Sequence, residues 1–234
     1  MSVKENVAHV QQRIAAAAIR SGREPEEITL MAVSKTFPPE QIRQAHVAGL
    51  RVFGENRVQE FAGKIAALRD LRDAEWHMIG HLQTNKVSQA AELFSHIDSV
   101  DSVRLARKLN SAASDLDKKL SALIEINIGG EAAKSGVAPH SAELADLLNA
   151  APALPFLDLC GLMTVPPFSD DPELSRPYLR KMREIFNHIA DRRLPAVRME
   201  VLSMGMSHDY EVAIEEGATC IRVGTAIFGT RTSL

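Results

Sequence analysis

TLMAVSKTFPPEQIRQAHVAGLRVFG, residues 29–54, is the stretch from which the fold is read. Leu30-Met31-Ala32-Val33-Ser34 has the length and β-rich character of a buried strand. Phe37-Pro38-Pro39 halts that strand, and Pro39 is acceptable in the first turn of the helix that follows. A second apolar run, LRVFG (50–54), then begins. The stretch is a strand–helix–strand unit with a lysine, Lys35, at the mouth of its first strand. An ammonium group is costly to bury, so Lys35 is either a solvated strand end or an amine held for chemistry.

The same unit recurs. Strand-like runs follow at WHMIG (76–80), FSHIDSV (94–100), LSALIEINI (120–128), LDLCGLMTV (157–165), RMEVLSM (198–204) and CIRVG (220–224). Segments of helical periodicity separate them. In 56–71, Val58, Phe61, Ile65 and Leu68 share a face and Asn56 is positioned to cap the start. In 102–110, Val103, Ala106 and Leu109 follow an Asp101 cap, and 172–191 opens on a proline and carries Leu179, Met182, Ile185, Phe186 and Ile189. Residues 1–23 form an additional amphipathic helix, with Val3, Val7, Val10 and Ile14 at helical spacing.

Strict β-then-α alternation calls for a parallel sheet covered by helices. Eight units in 234 residues fit an α/β fold of one (β/α)8 TIM barrel with an extra N-terminal helix, a single domain over 1–234. An open doubly wound sheet is the alternative, but no GxGxxG follows the first strand. The irregular segment PPFSDDPE (166–173) reads as a lid or as ordinary loop variation.

Composition narrows the function. A net charge of −3, 5% aromatics and dispersed Lys and Arg exclude a nucleic-acid binder with a basic, aromatic-lined face. Cys160 and Cys220 stand singly in apolar runs, which fits a reducing compartment. The N-terminal apolar run AAAAI is too short for a signal-peptide core, and no stretch approaches the roughly 20 apolar residues of a membrane span. The expectation is a cytoplasmic monomer with no membrane or nucleic-acid partner.

Barrel active sites lie at the C-terminal ends of the strands, and phosphate is often held after strands seven and eight. Those ends here carry Ser34-Lys35, Glu55-Asn56, Gly80-His81, Met163-Thr164, Ser203-Met204-Gly205-Met206-Ser207 and Arg222-Val223-Gly224-Thr225. Small and hydroxyl residues in the last two loops resemble a phosphate cradle, with a helix expected from Ser207 or His208. Taken singly, Gly205 and Gly224 would only make tight turns. Arg222 lies inside a strand and cannot shed its charge, so it points to the mouth or meets a buried carboxylate such as Glu200. A phosphate site, an arginine and a lysine at one mouth suit pyridoxal phosphate. On the same chemistry a Schiff-base aldolase acting on a sugar phosphate is a rival.

The motifs LMAVSKTFPPEQI, FGENRVQE, WHMIGHLQTNK, CGLMTVPP, LSMGMSHDY and IRVGTAIFG, in this order across residues 30–229, closely resemble the pyridoxal phosphate homeostasis proteins, the YggS/PROSC family. The resemblance implies a barrel like the N-terminal domain of alanine racemase, with pyridoxal 5'-phosphate bound as an imine on Lys35. It places Arg222 at the pyridine nitrogen, and Ser203, Gly205, Gly224 and Thr225 at the phosphate. Asn56, His81 and Met163 would line the pocket, although Asn56 also reads as a helix cap and His81 as a structural histidine. Arg57 stands where tyrosine is common in GENxVQE, and His208-Asp209-Tyr210 where acidic residues are common; both concern the pocket rim.

Arginine at the ring nitrogen makes the cofactor a weaker electron sink than a carboxylate would. With Leu234 directly after the last barrel unit, no second domain is expected to bring an acid/base to the opposite face, and Tyr178 and Tyr210 stand in no catalytic motif. The implied function is intracellular vitamin B6 and amino-acid homeostasis without substantial catalysis, with apo forms of pyridoxal phosphate enzymes as recipients. A small amino-acid racemase is the enzymatic alternative, and an interaction protein merely stabilised by the ligand is a third.

Overall fold

The chain starts with α1 (Val3–Arg20) and then alternates: β1 (Thr29–Val33), α2 (Pro39–Val47), β2 (Val52–Glu55), α3 (Val58–Lys64), β3 (Glu75–Met78), α4 (Val87–Leu93), β4 (His96–Val100), α5 (Val103–Asp115), β5 (Leu120–Ile126), α6 (Ala142–Ala150), β6 (Leu157–Thr164), α7 (Arg176–Asp191), β7 (Val197–Ser203), α8 (Tyr210–Glu215), β8 (Cys220–Val223) and α9 (Thr225–Phe228). The strands pair in sequence order, all parallel, and β1 also pairs with β8 through Met31 opposite Arg222. The sheet is therefore a closed barrel, which removes the open doubly wound alternative. The computed structural model describes residues 1–131 and 133–229. Ala132 and residues 230–234, including the expected chain end at Leu234, lie outside the described residues.

The hydrophobic core sits between sheet and helices. Ala32, Phe53, Ile97, Ile221 and Val223 turn outward from the strands into it, and the helices supply Ile42, Phe61, Leu109, Leu147 and Met182. Phe61 lies between Trp76 and Phe94, with ring centroids 4.8 and 4.9 Å away. Truncating a ring so enclosed costs about 3–5 kcal/mol. The lumen holds a separate and much smaller apolar cluster of Leu123, Cys160 and Met163. Buried His77, Asp98, Ser203 and Arg222 occupy other inward positions of the alternating strands.

The N-terminal helix forms where expected. Ser2 and Glu5 make a reciprocal capping box, and the buried face Val3, Val7, Val10, Ile14 packs against the barrel. Its polar face is tied to α8 by Arg13–Glu211 and Arg20–Glu215 ion pairs. Three helix starts differ from the sequence reading. Arg57, not Asn56, holds the N-cap position of α3, and its side chain makes no capping bond. Ser102, not Asp101, caps α5 by accepting from Leu105 N–H. The helix after β7 begins at Tyr210, because Asp209 first closes a turn by accepting from Met206 N–H at 2.7 Å.

Candidate functional site

Lys35 sits just beyond β1, half-buried, in a turn whose neighbours on both sides are held. Before it, buried Ser34 donates through Oγ to Glu55 Oε1 at 2.7 Å, and its carbonyl accepts from Lys64 Nζ at 3.2 Å. After it, Thr36 adopts a left-handed backbone, φ 66°, and donates its N–H to Glu60 Oε1. Lys64 bridges the two carboxylates at 3.0 and 2.9 Å. Burial lifts the Glu55 carboxyl above its usual range, while the Lys64 ammonium and the Ser34 hydroxyl pull it down. A left-handed non-glycine residue costs free energy that surrounding contacts must offset, and the Glu60 bond is such a contact.

Arg222 lies in β8, the strand that pairs with β1. It is 4% exposed, with Nη1 donating to Ser203 Oγ and Nη2 to the Thr164 carbonyl, each at 2.7 Å. Glu200 is not its partner: that carboxylate pairs with Arg198 at 2.8 Å. Burial disfavours the guanidinium charge and lowers its pKa, opposed by Cys220, Asp98, Asp209 and Glu125 around it. Met163 neighbours Ser203 across the β6–β7 pairing and is buried with Leu123 and Cys160. The structure thus brings Arg222, Ser203 and Met163 together.

The last two loops interlock. Gly205 has φ +92°, and a Cβ there would stand 2.5 Å from Ala213 Cβ, so only glycine fits. Its carbonyl accepts from Arg222 N–H at 3.0 Å, and Gly224 N–H donates to Ser207 Oγ at 3.2 Å. A Cβ on Gly224 would meet the Val33 carbonyl at 3.4 Å, which places this loop against the end of β1. Thr225, exposed, opens α9. Across the mouth, the loop after β6 touches both neighbours: Lys134 Nζ donates to the Pro166 carbonyl at 3.2 Å, and the Phe168 ring lies 4.9 Å from that of His208.

Asn56 and His81 form a different group. A Cβ on Gly80 would lie 2.3 Å from the Asn56 carbonyl, so the loops after β2 and β3 meet there. Asn56, Arg57 and His81 line one surface cavity of about 430 Å³. The His81 side chain is 54% exposed and pairs with Asp101 at 3.3 Å, which makes it a rim residue.

Two acidic residues of the barrel interior went unread in the sequence. Glu125 on β5 is half-buried, its Oε2 is without a hydrogen-bond partner among the described residues, and its pKa is pushed up to about 7 by burial and by Asp101, against Arg222. Asp98 on β4 is 1% exposed and meets His77 Nδ1 at 3.1 Å through both oxygens. The signal is visible in HIDS, where His96 and Asp98 flank Ile97 with the period of an inward face, whereas Glu125 stands alone among aliphatic residues in LIEI.

A primary amine at the end of β1, a buried guanidinium in β8 and two glycine–hydroxyl loops fit a phosphorylated aromatic aldehyde. This barrel and donor set define the alanine racemase N-terminal class, and the family profile described as "Alanine racemase, N-terminal domain" matches residues 3–232. The chain is 46% identical over 231 residues to the pyridoxal phosphate homeostasis protein of Aquifex aeolicus, covering 99% of both chains. It is 44% identical over 233 residues to that of Escherichia coli strain K12, covering 98% of this chain and 97% of the relative. It belongs to the pyridoxal phosphate homeostasis protein family. Among solved structures, PipY of Synechococcus elongatus with PLP bound is 38% identical, with TM-score 0.78 over 94% of this chain and 100% of that one. An alanine racemase of Clostridium difficile, 18% identical, shares the fold at TM-score 0.70 over 99% of this chain and 57% of its own. Among the described residues, no helix is long and apolar enough to cross a membrane.

Proposed function

We propose that this chain binds pyridoxal 5'-phosphate covalently through Lys35 and serves as a carrier and buffer for it in vitamin B6 and amino-acid homeostasis. When bound, the cofactor supplies an aldehyde that condenses with a primary amine. Lys35 offers that amine from a turn fixed on both sides, by Ser34–Glu55 and Thr36–Glu60. Arg222, pre-oriented by Ser203 and the Thr164 carbonyl, faces the pyridine nitrogen. Ser203, Gly205, Gly224 and Thr225 take the phosphate, with Met163 on the pocket floor and Asn56 and His81 at its rim. The observation that carries this reading is the barrel pairing of β1 with β8, which sets the lysine strand beside the arginine strand.

Substantial catalysis is not part of this reading. A racemase needs a second acid/base opposite the lysine, and the two tyrosines of the chain are packed against other elements. Tyr210 is 2% exposed with Arg13 of α1 stacked over its ring 5.5 Å away, and Tyr178 lies on α7 against the sheet–helix core. The barrel forms one domain over 1–234, acts as a cytoplasmic monomer and passes its cofactor to apo-enzymes.

Purified protein supplied with pyridoxal phosphate should show the visible absorption of the lysine adduct, fixed by borohydride and absent in Lys35→Ala. A full band in Lys35→Ala would overturn the assignment. Incubation of the loaded protein with single amino-acid enantiomers in deuterated water separates carrier from racemase: rapid α-proton exchange would establish the enzymatic alternative.

A further inference from the structure

The opposite pole of the barrel carries a second cluster that the cofactor reading does not use. β3 and β4 pair with His77 opposite His96. Glu75 stands two residues before His77 and Asp98 two after His96, so all four side chains share the inward face at the N-terminal end. They line a cavity of about 410 Å³ that also reaches Cys160 and Cys220. Glu75 is exposed, which gives this cavity access from solvent.

Each histidine has one ring nitrogen already engaged. His77 Nδ1 lies 3.1 Å from both oxygens of Asp98, and His96 Nδ1 lies 2.9 Å from Ser95 Oγ. That leaves the two Nε2 atoms. His77, only 9% exposed, has its Nε2 buried with no hydrogen-bond partner among the described residues. A buried polar atom without a partner calls for an explanation, and an unplaced ion is one. A carboxylate on the far nitrogen is also the usual companion of a metal-bound imidazole, because it fixes the tautomer and raises ligand basicity. One ligand atom from each of Glu75, His77 and His96 lies within 4.8 Å of the other two.

We propose that Glu75, His77 and His96 form a binding site for a divalent transition-metal ion of the zinc class. Two imidazoles and a carboxylate suit Zn2+ and disfavour the oxygen-seeking Mg2+ and Ca2+. Three protein ligands leave a fourth tetrahedral position to water. Bonds of about 2.0–2.1 Å to the imidazoles need the donors to close in and their lone pairs to converge. The two rings now stack in parallel, 6° apart with centroids at 3.9 Å, so the half-buried His96 ring tilts to meet the ion. Asp98 is a positioning residue, acting through His77.

The test is a Zn2+ titration of the full chain against a chromophoric chelator, with Co2+ substitution read by its visible d–d absorption. One equivalent per chain is expected, weakened at least tenfold by Glu75→Gln and by His96→Gln and about 10–100-fold by Asp98→Asn. Glu75 and His96 lie toward solvent, so their variants keep the test readable if Asp98→Asn fails to fold. Absence of stoichiometric binding to the wild-type chain would refute the site. So would undiminished binding by the Glu75→Gln/His96→Gln double variant.

Discussion

The Ser34 hydroxyl donates to Glu55 Oε1 at 2.7 Å, directly before Lys35, and Glu55 in turn meets Lys64 at 3.0 Å with no solvent exposure of its own. The position of the lysine backbone is thereby set by a buried ion pair between β2 and α3.

Removing one member of that pair strands the other in a low-dielectric site. Lys64→Met should therefore destabilise the protein by about 3–5 kcal/mol, whereas the double change Glu55→Gln/Lys64→Met should recover most of the loss. Urea unfolding of the single and double variants measures both. The double variant should also load cofactor more slowly, in borohydride-trapping time courses, because Ser34 and Thr36 lose their shared anchor.

Arg222→Leu leaves the Ser203 hydroxyl and the Thr164 carbonyl buried with lost partners. A cost of about 1–3 kcal/mol per unsatisfied group is expected, together with weaker cofactor binding and a shifted absorption maximum of the bound form. Arg222→Lys should restore charge but not the forked geometry, so equal affinity in the lysine variant would argue against a role for the two fixed donors.

Glu125 gives the stability a pH signature. Its folded pKa, about 7, lies above the ordinary 4.5, so the folded protein holds the proton more tightly than the unfolded chain. The associated stability is complete below about 4.5 and is lost as pH rises through about 7, at roughly 1.4 kcal/mol per unit inside that window. Glu125→Gln should flatten this part of the pH–stability curve and be the more stable protein at pH 8, as read by thermal melts across pH 4 to 8.

Gly205→Ala forces a side chain into a left-handed backbone and to within 2.5 Å of Ala213 Cβ. A loss of about 1–3 kcal/mol is expected, with a weaker grip on inorganic phosphate as well as on the whole cofactor. Calorimetric titration with phosphate separates the two effects, since a purely structural lesion would lower the melting temperature and leave phosphate affinity intact.

The barrel was legible because each strand is a short apolar run with a turn or cap signal behind it, as in Leu30–Val33 before Pro38-Pro39. Lys35 and Arg222 could be placed for the same reason: a charge inside or at the end of such a run has few places to go. The caps were less legible. Asp101 and Ser102 are both good capping types, and the choice fell to Ser102 while Asp101 pairs with His81, a partner from another strand end. The burial of Lys64 has no sequence signal, since nothing local announces that Glu55 lies beneath it. The inward face of the strands was missed where it also carries apolar residues, as Leu123 does two positions before Glu125.

The separation of an outer oily layer from a polar lumen has a consequence for how such a chain can diverge. Substitutions in the shell between sheet and helices are tests of volume, answered by cavities and clashes. Those in the lumen are tests of solvation and charge, answered by proton occupancy and ligand affinity. Because Ala32 and Met31, or Ile221 and Arg222, belong to opposite faces of the same strand, adjacent codons answer to different selective pressures. A lineage can retune what the interior binds while leaving intact the scaffold that makes it fold.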